Sequence, residues 1–166
     1  MNLSILNNEV QNFINTNLKA DLTKLILKGS PFKNVTIQEI ANQIVSKNKA
    51  KKKLPTWFST KNIYFPNKLN IEQSSSEITA KHKTKLVSGK TLIDLTGGFG
   101  VDTFYFSNVI KKVIYCEINS ELSTIAKHNF TQLGANNIIC LNTNGIEYLK
   151  NRNEKFDWIY IDPSRR

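Results

Sequence analysis

A glycine-rich turn lies directly behind a short apolar run at Thr91-Leu-Ile-Asp-Leu-Thr-Gly-Gly-Phe-Gly100. An apolar run that ends in an acid and then a glycine turn reads as a parallel strand feeding a ligand-binding loop. Asp94 closes the strand. Gly97, Gly98 and Gly100 lack a Cβ, so the backbone there can turn sharply and come close to a ligand. Glu117 closes the next apolar run, Val113-Ile-Tyr-Cys-Glu117, at about the separation of an acid that grips ribose hydroxyls. A third marker, Asp162-Pro163-Ser164-Arg165-Arg166, follows a fourth apolar run.

Between these markers, short runs rich in Ile and Val alternate with helical segments. The pattern predicts strands over 91–96, 112–118, 138–142 and 156–162, with helices over about 101–110, 120–133 and 145–150. Such alternation indicates an α/β unit with a parallel sheet and right-handed crossovers, in the expected strand order 3-2-1-4. A dinucleotide fingerprint starting at Gly98 has Gly100 in place but Thr103 where its third Gly should be. That mismatch, with an Asp-Pro sequence after the fourth strand, disfavours a nicotinamide enzyme.

The first half of the chain has a different character. Leu3, Leu6, Val10, Phe13, Ile14 and Leu18 recur at helical spacing, and Thr36-Ile-Gln-Glu39 is a capping box that opens a helix through about Ser46. We expect a small helical domain over 1–53, a linker or crossing loop over 54–70, and the α/β unit over 71–166. Charge divides along the same line. The net charge is +10, and residues 1–90 carry the whole excess, with fifteen Lys against five acids. A polyanion is the natural partner of such a half, although a chain rich in Asn, Ile and Lys can also acquire lysines through nucleotide bias. Lys51, Lys52 and Lys53, close to Trp57, Phe58, Tyr64 and Phe65, could hold phosphates while the rings stack on bases. A solvated lysine run beside packed aromatics is the plainer reading of the same residues.

Some classes are excluded by what the sequence contains. No apolar run approaches the ~20 residues that span a bilayer. Cys116 and Cys140 stand in strand-like runs without CxxC spacing, so buried free thiols in a reducing cytosol are expected, and no cluster supplies a metal site.

The segment Leu92-Ile-Asp-Leu-Thr-Gly-Gly-Phe-Gly-Val-Asp102 is similar to motif I of class I S-adenosylmethionine-dependent methyltransferases, departing at Thr96, where many members have the first Gly. Glu117 matches the acid after their second strand, and Trp158-Ile-Tyr-Ile-Asp-Pro163 resembles their motif IV. The resemblance implies S-adenosyl-L-methionine as cofactor, a Rossmann-like sheet of which this chain supplies four strands, and a substrate group facing Asp162 and Pro163. On that reading Asp94 attracts the ammonium of the cofactor, directly or through water. Gly97, Gly98 and Gly100 admit its aminoacyl end, Glu117 takes both ribose hydroxyls, and Asn144 faces the adenine edge. Ser164 and Arg165 replace the second Pro and the aromatic of amino-methyltransferases, and the Asp-Pro-x-Arg shape also looks like RNA enzymes acting at ring carbons. Phe65-Pro-x-Lys-Leu-x-Ile-Glu-Gln-Ser-Ser-Ser-Glu-Ile-Thr-Ala80 resembles a subgroup with a C-terminal THUMP-like RNA-binding domain.

We therefore expect the N-terminal, cofactor-binding part of a cytoplasmic RNA methyltransferase, inactive as a fragment, with Lys51, Lys52, Lys53, Arg165 and Arg166 on the nucleic acid. A DNA amino-methyltransferase and a non-catalytic nucleic-acid module with a degenerate fold are the alternatives.

Overall fold

A computed structural model describes residues 1–163. The chain divides into two compact units, Met1–Glu72 and Gln73–Arg166.

The first unit is helical. A 3-10 turn at Leu3–Leu6 leads into α1 (Asn8–Thr16), α2 (Leu22–Lys28), α3 (Ile37–Lys53), α4 (Pro55–Ser59) and α5 (Lys68–Gln73). Thr36 and Glu39 form the expected capping box at the start of α3, with each side chain taking a backbone N–H at the helix entrance. The helix runs past Ser46 to Lys53, seven residues beyond the sequence expectation. Its buried face continues as Ile40, Ile44, Lys47, Ala50 and then Leu54, so a lysine occupies a position that the helical period reserves for the core.

Residues 54–70, expected as a linker, pack into this unit. Leu54, Trp57, Ile63, Phe65 and Ile71 are buried, and Trp57 is fully so. The buried amide of Gln43 pins the extended stretch by donating through Nε2 to Phe65 O at 2.6 Å and accepting from Phe65 N at 3.0 Å. An indole enclosed in this way cannot stack on a base. Trp57, Tyr64 and Phe65 beside the lysine run are core residues, and Phe58 stays partly exposed.

The second unit is α/β. After α6 (Glu77–Lys83) and a 3-10 turn come β1 (Thr91–Asp94), α7 (Val101–Ser107), β2 (Lys112–Cys116), α8 (Ser120–Gln132), β3 (Ile138–Leu141), α9 (Gly145–Lys150) and β4 (Trp158–Tyr160). The sheet is parallel in the order β3-β2-β1-β4, as expected, with Ile93 in register with Ile114 on one side and Ile159 on the other. Alternation along β1 separates two core layers. Leu92 packs with Phe106, Ile110 and Val113, and Ile93 packs with Ile114, Cys116, Tyr148 and Leu149. Both faces of the central strands β1 and β2 are thus covered, which is why they read as continuous apolar runs, while Trp158 and Ile159 of β4 stay exposed. Chain order reverses between β1 and β4, and ligands of open α/β sheets lie at the carboxyl end of such a switch point.

No helix among the described residues is long and apolar enough to cross a membrane.

Candidate functional site

The loop after β1 is built from its own side chains before any ligand is considered. Asp94 is 1% exposed. Its Oδ1 accepts from Thr96 N at 3.0 Å and its Oδ2 accepts from Thr103 Oγ1 at 2.6 Å. Asp94 therefore ties the loop to α7, with both carboxylate oxygens engaged by the chain itself. Burial pushes the carboxyl up to about 7, against the lowering effect of the Thr103 and Thr96 hydrogen bonds.

The three glycines serve different ends. A Cβ on Gly97 would lie 2.2 Å from the Tyr115 ring, and one on Gly100 would lie 2.4 Å from Phe130. Tyr115 and Phe130 pack edge to face at 5.5 Å, and the Tyr115 hydroxyl donates to Gly98 O at 2.6 Å. Gly97 and Gly100 are thus demanded by packing under the loop. Gly98 has φ +55° and nothing nearer its missing Cβ than a carbonyl 3.8 Å away. The open face of the turn is at Gly98, where a ligand can come closest to the backbone.

Glu117 sits half-buried beside that face. Its Oε2 accepts from Gly98 N at 2.9 Å and its Oε1 from Asn119 N at 2.8 Å. A carboxylate offers about four lone-pair sites, so both oxygens keep capacity for a vicinal diol. The residues present fit the ribose of the expected cofactor. Asn144 caps α9 instead of standing free: its Oδ1 accepts from Ile146 N at 3.0 Å and Glu147 N at 3.3 Å. Its amide nitrogen is what remains for an adenine edge.

Across the switch point, Asp162 and Pro163 follow β4. Asp162 N donates to Thr96 Oγ1 at 2.7 Å. The one position at which the loop departs from the family pattern thus supplies the hydroxyl that joins the two halves of the site. The Asp162 carboxylate belongs to a cluster that sequence reasoning missed. Lys83 Nζ, at the end of α6, lies 3.0 Å from Asp162 Oδ2 and 3.1 Å from Asp102 Oδ2, and it also donates to the Tyr160 hydroxyl. That hydroxyl stands 3.1 Å from Asp102 and 3.0 Å from Asp162, with one proton to share between them. Burial first, and then the two carboxylates, push the Tyr160 phenol well above its ordinary range, so it stays a neutral donor. Lys83 thus lies between the two carboxylates and holds both in place. Tyr160 precedes Asp162 by two residues and was within reach of sequence analysis. Lys83 and Asp102 carried no signal, since only the fold brings them together.

The lysine run separates on α3. Lys53 Nζ donates to Ile71 O at 2.9 Å and Glu72 O at 2.6 Å, capping α5, and burial lowers its proton affinity. Lys53 is thus a structural residue, contrary to expectation, while Lys51 and Lys52 remain exposed. Arg165 and Arg166, like Ser164, lie outside the described residues.

Comparison with known proteins bears on the fold. The ribosomal RNA small subunit methyltransferase J of Francisella tularensis subsp. novicida (strain U112) is 26% identical over 105 residues, which is 58% of this chain and 44% of that protein. A crystal structure from Porphyromonas gingivalis W83, assigned as a methyltransferase, matches 98% of this chain with a TM-score of 0.82 at 28% identity. The fold is that of a Rossmann-like methyltransferase. The chain spans less than half the length of both: 44% of the first and 41% of the second. No family model matches it.

Proposed function

We propose that the protein is an S-adenosylmethionine-dependent methyltransferase acting on a base in structured RNA. One observation carries the reading. The same glycine loop is hydrogen-bonded to the acid after β2, through Gly98 N and Glu117, and to the Asp-Pro turn after β4, through Thr96 and Asp162 N. A ribose-binding acid and a substrate-facing turn therefore share one frame, which is what methyl transfer between two bound partners requires.

In this reading Glu117 accepts from the ribose hydroxyls and Gly98 lets the cofactor approach the backbone. The cofactor, when bound, supplies an electrophilic methyl group on a sulfonium. The chain orients the partner: Asp162 accepts a hydrogen bond from the substrate, and Pro163 stiffens the turn behind it. Lys83 and Tyr160 fix the Asp162 carboxylate from the other side. RNA as the substrate rests on the likeness to the ribosomal RNA enzyme and on the basic first half of the chain. The finer placement among enzymes with a C-terminal THUMP-like domain rests on the resemblance of residues 65–80, and placement in the cytoplasm rests on Cys116 and Cys140 as free thiols.

Calorimetry with S-adenosylmethionine tests the reading. Glu117→Ala should weaken binding by roughly 1.5–3 kcal/mol through lost charge-assisted hydrogen bonds. Equal affinity in both proteins removes Glu117 from the site, and no binding by the wild type points to a non-catalytic module.

A further inference from the structure

Lys47 is the most unusual ionisable residue in the helical unit. It is 9% exposed, at a core-facing position of α3. Its ammonium donates to Asn15 Oδ1 at 2.8 Å and lies 5.7 Å from the centre of the Phe58 ring and 5.9 Å from that of Phe65. Among the described residues no carboxylate lies within ion-pair distance of it. An amide and two ring faces recover only part of the solvation that an ammonium loses on burial, and two of its three N–H groups remain to be used. Burial accordingly lowers its proton affinity, with no opposing charge to restore it.

The ammonium also borders a cavity of about 440 Å³, within the range of small-ligand pockets. Gln11, Asn12 and Asn15 of α1 line one side, and Phe58 and Lys61 line the other. No acid lines it, so a cation has nothing to bind. Carboxamides carry both donors and acceptors and suit the edge of a nucleobase, and the half-exposed Phe58 ring offers a stacking face. Lys51 Nζ lies 5.9 Å from the centre of the same ring and adds positive charge beside it. The whole unit is basic, with eleven Lys against four acids in residues 1–72.

We propose that this cavity binds a nucleoside phosphate, either free or as one unit of a single-stranded RNA, with Lys47 as the cation that meets the phosphate. The bound anion supplies the counter-charge that the fold withholds from Lys47. The amides of α1 then read the base, and Phe58 stacks on it. This site is separate from the glycine loop and does not rest on the methyltransferase reading.

The experiment uses the full chain and three probes: inorganic phosphate, the four nucleoside 5′-monophosphates, and a labelled single-stranded decaribonucleotide. Binding is followed by NMR of the side-chain amides of Gln11, Asn12 and Asn15 and by fluorescence anisotropy. The wild type should bind at least one monophosphate more tightly than inorganic phosphate, with shifts at those amides. Lys47→Met keeps the apolar stem, so it should weaken that binding at least tenfold while leaving Tm unchanged or higher, because an uncompensated buried charge has gone. Affinity for S-adenosylmethionine, which has no phosphate, should not change. If Lys47→Met weakens the oligonucleotide as well, the ligand is a strand; if it weakens only the monophosphate, the ligand is free. Absence of nucleotide binding by the wild type overturns the proposal. So does unchanged binding in Lys47→Met, whatever its Tm. Should that variant not fold, the surface pair Asn12→Ala and Lys61→Ala takes its place, and unchanged binding there overturns the proposal equally.

Discussion

Replacing Asp94 with Asn should abolish a pH dependence of stability that the buried carboxyl imposes on the second unit. Asp94 is enclosed beneath the glycine loop, and burial raises its carboxyl from an ordinary 3.8 to about 7. Below pH ~4 it is protonated whether the chain is folded or not, and it costs nothing. Between about 4 and 7 the unfolded chain releases the proton while the folded chain retains it, so stability falls as pH rises. Above about 7 the loss is complete. Each tenfold difference in proton affinity is worth about 1.4 kcal/mol, so roughly three decades give a ceiling of about 4 kcal/mol.

Asn has the same shape and can still accept from Thr96 N through Oδ1 while its amide donates to Thr103 Oγ1. Neutral at every pH, it carries no such slope. Differential scanning calorimetry from pH 4.5 to 8.5 should find nearly equal Tm values at the acid end. By pH 8 the Asp94→Asn variant should melt higher, by up to roughly 8–16 °C. Glu39 and Asp157 cannot imitate this result. Backbone hydrogen bonds hold both below the ordinary carboxylate range, so what they contribute is lost only as pH falls through that lower range. Parallel Tm curves for wild type and variant would refute the argument, and so would a variant that melts lower throughout.

Two further perturbations test the frame of the site. In urea melts, Gly97→Ala and Gly100→Ala should each cost more than Gly98→Ala. The first two must displace Tyr115 or Phe130, at about 1–3 kcal/mol or more, whereas the third meets only a positive φ, at about 1–2 kcal/mol. Lys83→Met removes the cation between Asp102 and Asp162 and should lower stability by about 1–3 kcal/mol, less than a fully buried pair because both acids keep some solvent. Asp102→Asn in the same chain should recover part of that loss.

The strand order and the positions of Glu117 and Asp162 were legible in the sequence because each depends on local pattern: apolar period, glycine turn, acid at a strand end. Element ends were less legible. The strands stop two residues or so short of their apolar runs, because residues such as Leu95 and Ile161 belong to the turns that carry the site. The end of α3 differed for a physical reason. Lysine is ordinarily solvated, yet Lys47 falls on the core-facing period of the helix, and α3 continues past Ser46 to Lys53. Lys83 and Asp102 could not be read as partners of Tyr160 and Asp162, since they come from other elements with no spacing rule between them.

The glycine loop shows how far residue type can stand for role. Three glycines in a nucleotide-type turn invite one explanation, close approach of a ligand. The structure divides them, with Gly97 and Gly100 answering to aromatic rings beneath the loop and Gly98 to the open face. The same holds for the acids. Asp94 and Glu117 both end strands, but one is consumed by Thr96 and Thr103 while the other holds Gly98 N with an oxygen that can accept again. The loop is shaped in advance because its restraints come from buried groups beneath it, namely Asp94, Tyr115, Phe130 and Thr103. The ligand-facing groups then need little reorganisation on binding, which is the condition under which hydrogen bonds to charge are worth most. Thr96 fits the same logic. A glycine there would loosen the turn and leave Asp162 N without its hydroxyl, so the departure from the family pattern exchanges backbone freedom for a bond across the switch point.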